Sequence, residues 1–90
     1  MKQFKFYSDP GHGWCAVKRK LLSELGILAS VTRYSYERGE TVYLEEDCDA
    51  SKLFNALIEQ KIRYKVIESY SDKDSPIRSY PYFGLRAGEG

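Results

Sequence analysis

Asp9, His12 and Cys15 place a carboxylate, an imidazole and a thiol in one short stretch, the parts from which a nucleophilic site is assembled. The spacing argues against that use. The stretch around Cys15 reads as extended, so His12 and Cys15 point to opposite faces, and a thiolate–imidazolium pair is poorly placed. Asp9-Pro10-Gly11 reads as a type II turn, with Pro setting the first corner and Gly11 supplying positive φ. In that turn Asp9 is close enough to hold the His12 ring. His12 is read first as a loop residue bonding to the turn backbone. As a functional group it fits a ligand contact at the tip of a hairpin better than a catalytic role.

A second group is basic and aromatic. Lys18-Arg19-Lys20 opens a helical segment, where three cations oppose the positive end of the helix dipole. Either solvent screening and nearby acids absorb that conflict, or a bound phosphate, met by backbone N–H groups and the side chains of Lys18 and Arg19, relieves it. Trp14 precedes this cluster and His12 precedes Trp14. Tyr34 and Tyr36, flanked by Arg33 and Arg38, are expected on one face of a strand, either packed as cross-strand pairs or stacked on a base. Arg78, with Tyr80 and Tyr82, repeats the combination near the C-terminus, as a lid or as packing.

Metal chemistry is weakly signalled. The run Glu45-Glu46-Asp47-Cys48-Asp49 lacks the spacing of a calcium loop, and helix capping with solvated strand-end charge accounts for it without an ion. Cys15, Cys48 and His12 are one ligand short of a closed zinc site. No metal and no cofactor are expected. The two cysteines are expected as reduced thiols.

The elements that must position these residues follow from periodicity. Residues 3–8 alternate Phe4 and Phe6 against Lys5 and Tyr7, and 12–17 resumes the extended pattern as the second arm of a hairpin. Residues 18–25 read as a short helix stopped by Gly26. Residues 32–37 and 41–46 flank Arg38-Gly39 as a second hairpin, with Gly39 at positive φ. A second helix over 49–60 follows, then a last strand over 62–69 and a polar loop. The result is an α+β fold in ββαββαβ order, a mainly antiparallel sheet with two helices on one face. Leu21, Leu25, Leu53 and Leu57 are the expected core between helices and sheet. Residues 1–83 form one domain, with 84–90 as a flexible tail.

Composition bounds the partners. The chain has 90 residues, fourteen Lys and Arg, and thirteen Asp and Glu, for a net charge of +1. Bulk charge therefore recruits neither duplex nucleic acid nor an anionic membrane. No apolar stretch has the length of a membrane span, and no apolar signal region opens the chain, so a cytoplasmic location is expected. Residues 1–40 carry seven bases and four acids, net +3, whereas 41–90 carry seven and nine, net −2. That polarity suits a local anion site better than a long backbone groove.

Asp9-Pro10-Gly11-His12-Gly13-Trp14, Tyr34-Ser35-Tyr36 and the run from Val42 to Asp49 carry a resemblance over residues 3–83. The chain resembles a family of small proteins encoded on bacteriophages and other mobile elements. The resemblance transfers no active site. It implies a setting, the cytoplasm of an infected bacterial host, and a counter-defence role. The expected function is non-enzymatic: a molecular sponge that sequesters a small phosphorylated nucleotide signal, such as a cyclic oligonucleotide or an ADP-ribose derivative. Trp14, Tyr34 and Tyr36 would stack on bases, Lys18, Arg19 and Arg78 would meet phosphates, and His12 would donate a hydrogen bond. A homo-oligomer is expected, with the pocket completed at a subunit interface, because the aromatic residues exceed what two short helices cover. A protein–protein inhibitor and a single-strand nucleic-acid-binding module use the same residue types and are the alternatives.

Overall fold

The computed structural model describes residues 1–84, and the remainder of the expected flexible tail, 85–90, lies outside the described residues. The alternating segments become β1 (Lys2–Ser8) and β2 (Gly13–Lys18), and the Thr/Tyr/Val-rich ones become β3 (Tyr36–Arg38) and β4 (Thr41–Glu45). Helices α1 (Arg19–Glu24) and α2 (Ala50–Glu59) follow β2 and β4, and β5 (Tyr64–Tyr70) closes the set. Together they form one five-stranded sheet in the order β3-β4-β2-β1-β5. Every pair is antiparallel except β1 with β5, which run parallel in register from Lys2↔Tyr64 to Ser8↔Tyr70. The fold is the expected α+β arrangement.

Alternation along each strand sorts its side chains between two faces. Phe4, Cys15, Val17, Val42 and Leu44 face the helices and pack in one buried cluster with Leu22, Leu25, Ala50, Leu53 and Leu57. Leu22 takes the core position expected of Leu21, which is only half-buried at the rim. The helix begins one residue later than expected, at Arg19 rather than Lys18. Both helices end in a Schellman motif. After α1, the Ile27 N–H donates to the Leu22 carbonyl and Gly26 sits at φ +76°. After α2, the Ile62 N–H donates to the Leu57 carbonyl, and the left-handed position is held by Lys61 at φ +58°.

Strand β3 is shorter than residues 32–37 suggest. Residues 33–34 form a turn, fixed from below by Asp49. One carboxylate oxygen of this fully buried residue accepts from the Thr32 N–H at 3.0 Å, the Thr32 hydroxyl at 2.8 Å and the Ser35 hydroxyl at 2.5 Å. The other accepts from Lys52 at 2.9 Å. Asp49 thus precedes α2, but its side chain makes no capping bond to the helix.

The opposite sheet face carries Tyr7, Trp14, Tyr36 and Tyr43, and much of it is covered by the chain's own C-terminal segment. A 3-10 turn, Pro76–Ser79, buries Ile77 there. Tyr80 packs on Tyr43 with ring centroids 5.2 Å apart, and Tyr82 stacks on Tyr36 at 5.1 Å. The segment then runs beside β3, where the Glu37 N–H donates to the Pro81 carbonyl and the Phe83 N–H to the Ser35 carbonyl. The aromatic surplus is therefore met within the chain to a large extent, and Tyr34, Tyr70 and Tyr82 keep exposed rings.

Candidate functional site

The first candidate region is the tip of the β1–β2 hairpin. Asp9 organises it, with its carboxylate accepting from the backbone N–H groups of Gly11 and His12, each at 3.0 Å. The same carboxylate receives the Ser75 N–H and a two-pronged contact from Arg78, Nε at 2.7 Å and NH2 at 2.8 Å. The Arg78 bonds hold the Asp9 carboxyl far below the usual carboxylate range, against the opposing effect of burial. Gly11 does not adopt the positive φ of the expected type II turn. A Cβ there would lie 2.6 Å from the Arg78 guanidinium, so a larger residue would push the Arg78 side-chain end off its place on Asp9.

The expected site residues divide into three places. His12, Trp14, Tyr36 and Arg78 gather behind the hairpin tip, with Arg78 over the Trp14 ring at 5.3 Å and Tyr36 edge-on to it at 6.1 Å. Trp14 is 1% exposed and its indole N–H finds no partner. Its ring therefore packs as core. Arg78 is occupied by Asp9. Lys18 and Arg19 lie at the other end of β2. Arg19 forms an ion pair with buried Glu37 at 2.6 Å and covers the Phe83 ring, while the first helical N–H, that of Arg19, donates to the Glu40 carbonyl. Tyr34 sits apart in its turn, 70% exposed, and does not share a strand face with Tyr36. Cys15 lies in the core, where desolvation pushes its thiol up to about 12, so it supplies no nucleophile at neutral pH.

His12 does not turn its ring to Asp9. Its Nδ1 lies 3.1 Å from Oε2 of Glu45, at the end of β4. Strand register makes this meeting possible, since Trp14 pairs with Glu45 and the Glu46 N–H donates to the Gly13 carbonyl. Asp47 stands beside them, and donor atoms of His12, Glu45 and Asp47 lie within 4.8 Å of one another.

The second region was only partly visible in the sequence. The β1–β2 ladder pairs Phe6↔Cys15, Tyr7↔Trp14 and Ser8↔Gly13 and extends no further. Beyond Phe6, β1 follows β5 while β2 follows β4. An open groove of about 460 Å³ occupies this end of the sheet, bordered by Gln3, Lys5, Tyr7, Lys18, Thr41 and Tyr43, with Lys2 and Leu21 at its rim. Lys2, Lys5 and Lys18 line it, and among the described residues no Asp or Glu does. The Tyr7 and Tyr43 rings lie 6.3 Å apart at one end, and Lys18 Nζ reaches the Thr41 hydroxyl at 3.4 Å. Of the expected site residues only Lys18 belongs to it. The signal for the rest was the alternation Gln3, Lys5, Tyr7, which puts polar and aromatic groups on the face away from the helices.

Compared with known protein families, curated proteins and solved structures, the chain finds no match in any of the three. Among the described residues, no helix is long and apolar enough to cross a membrane.

Proposed function

We propose that the protein is a non-enzymatic binder of a small phosphorylated nucleotide, seated in the groove where β1 and β2 diverge. The observation that carries the reading is the lining: three lysines and, among the described residues, no acid around one opening, in a chain whose net charge is only +1. Such a lining favours a compact anion over an extended nucleic-acid backbone, which needs a long basic track. Tyr7 and Tyr43 offer aromatic surface for a base, and Thr41 and Gln3 supply hydroxyl and amide partners for a sugar. The volume lies within the roughly 300–1,000 Å³ of small-molecule sites. Phosphate contacts move from the start of α1 to the sheet face, Lys18 being common to both readings. Sequestration of a nucleotide signal remains the role that this chemistry fits.

The test is isothermal titration with ADP-ribose and with cyclic dinucleotides, followed by heating the complex to recover unaltered ligand. A Lys5→Ala/Lys18→Ala pair removes two charge-assisted contacts and is expected to weaken binding at least about tenfold while the fold is kept. Binding that survives the double substitution, or no binding to any phosphorylated nucleotide in the panel, refutes the reading.

A further inference from the structure

The acidic run that ends β4 carries no site by itself. What changes its meaning is the histidine that the first hairpin brings to it, and the state of the carboxylate between them. Glu45 is 6% exposed. Its Oε1 accepts the Asp47 N–H at 2.9 Å, whereas its Oε2 is closed off from solvent and receives no hydrogen bond. A buried carboxylate oxygen without a donor is costly, and proteins keep few of them. The Cys48 thiol also interacts with the Glu45 carboxylate. His12 Nδ1 lies 3.1 Å from Oε2, near enough for an ion pair but not aligned as a hydrogen bond. Two atoms that share a metal ion stand in this relation. At metal–ligand bonds of about 2.0–2.2 Å, neighbouring donors of an octahedron or tetrahedron lie roughly 2.9–3.5 Å apart, with neither aimed at the other.

We infer that His12, Glu45 and Asp47 form a binding site for one divalent first-row transition-metal ion. Nδ1 of His12 and Oε2 of Glu45 are already at ligand spacing. The Asp47 carboxylate, exposed and within 4.8 Å of both, completes three protein ligands by a side-chain rotation. One imidazole nitrogen with two carboxylate oxygens suits Zn²⁺, Mn²⁺ or Fe²⁺, whereas Mg²⁺ and Ca²⁺ are held by oxygens alone. Three ligands leave further positions open to water. The ion would tie the hairpin tip to the turn before α2, across a point where the backbone already joins them through the Glu46 N–H and the Gly13 carbonyl. The site lies at the end of β2 opposite the lysine-lined groove and is independent of it.

The experiment is calorimetric titration of the chelator-treated full chain with ZnCl₂, with MgCl₂ in parallel. One Zn²⁺ per chain is expected, with no heat from Mg²⁺. His12→Gln and Asp47→Asn sit on a loop and a turn and leave Glu45 in place, so the fold, followed by circular dichroism, is kept. Loss of an outer-shell partner alone costs about 10–100-fold in metal affinity, so each substitution is expected to cost at least about tenfold. Cys48→Ser is expected to bind Zn²⁺ as the parent does. The inference is overturned if the parent binds no Zn²⁺, if both ligand variants bind it undiminished, or if binding is lost only with Cys48.

Discussion

Replacing Asp49 tests the account of how the turn at residues 33–34 is held. One of its oxygens takes three hydrogen bonds from Thr32 and Ser35, and the other takes Lys52. Burial alone would raise its carboxyl, but the bonds from Ser35, Lys52 and Thr32 outweigh it and hold the group below its ordinary value of 3.8. It is therefore ionised at neutral pH. Hydrogen bonds to a charged acceptor are worth about 1.5–3 kcal/mol each and neutral ones about 0.5–1.5, so Asp49→Asn loses roughly 1 kcal/mol per bond, or about 3 kcal/mol over the three. The Lys52 arm is partly exposed and adds at most about 1 kcal/mol. Asp49→Ala also strands the Ser35 hydroxyl and the Thr32 N–H, bringing its cost to about 3–5 kcal/mol. A chain of 90 residues has roughly 5–13 kcal/mol in all, so either loss is plain in urea unfolding followed by the buried Trp14. The sign with pH is also fixed. A depressed carboxyl contributes stability above its unfolded value and loses it as pH falls through the folded one, so Asp49→Asn flattens the acid limb of the stability curve. Losses below about 1 kcal/mol in both variants, or an acid limb unchanged in Asp49→Asn, refute the account.

Two further outcomes follow from the backbone and the C-terminal segment. Lys61 holds a left-handed position without being glycine, so Lys61→Gly is expected to stabilise the chain by about 0.5–1 kcal/mol in urea unfolding; a destabilised variant would show that its side chain matters more than its φ. Arg78→Ala removes the clamp on Asp9 and is expected to free residues 75–84, seen as faster proteolysis there and a red shift of Trp14 emission. Because Arg78 holds the Asp9 carboxyl far below the usual range, the parent keeps its blue emission when acidified to pH 4, and a shift at that pH would contradict the ion pair.

The helices, the hairpin at Gly39 and the alternation of β1 and β2 were legible in the sequence because each is a local property of neighbouring residues. Tyr34 was misplaced for the converse reason. Its stretch has the composition of a strand, but the carboxylate that bends it, that of Asp49, lies well downstream, and no local pattern announces such a bond. The same holds for Arg78, whose aromatic neighbours fit a lid or packing equally well, and whose bond to Asp9 spans most of the chain. Trp14 looked available because tryptophan before a basic cluster suits a base. Its burial depends on a covering segment that the sequence places at the far end.

These long-range bonds also decide which surfaces are left for function. The C-terminal segment spends the aromatic face near β3 and β4 on packing, and with it Trp14, Tyr36 and Arg78. It leaves the other end of the sheet open, where β1 turns toward β5 and Lys5 and Lys18 border one groove with Lys2 at its rim. An anion held there would offset the mutual repulsion of the lysines, which no acid among the described lining residues relieves. The groove's position follows from the topology: the parallel β1–β5 pairing runs the full length of β1, the antiparallel β1–β2 pairing covers less than half of it, and the sheet must part between them. A groove set by a break in strand pairing has no sequence motif of its own.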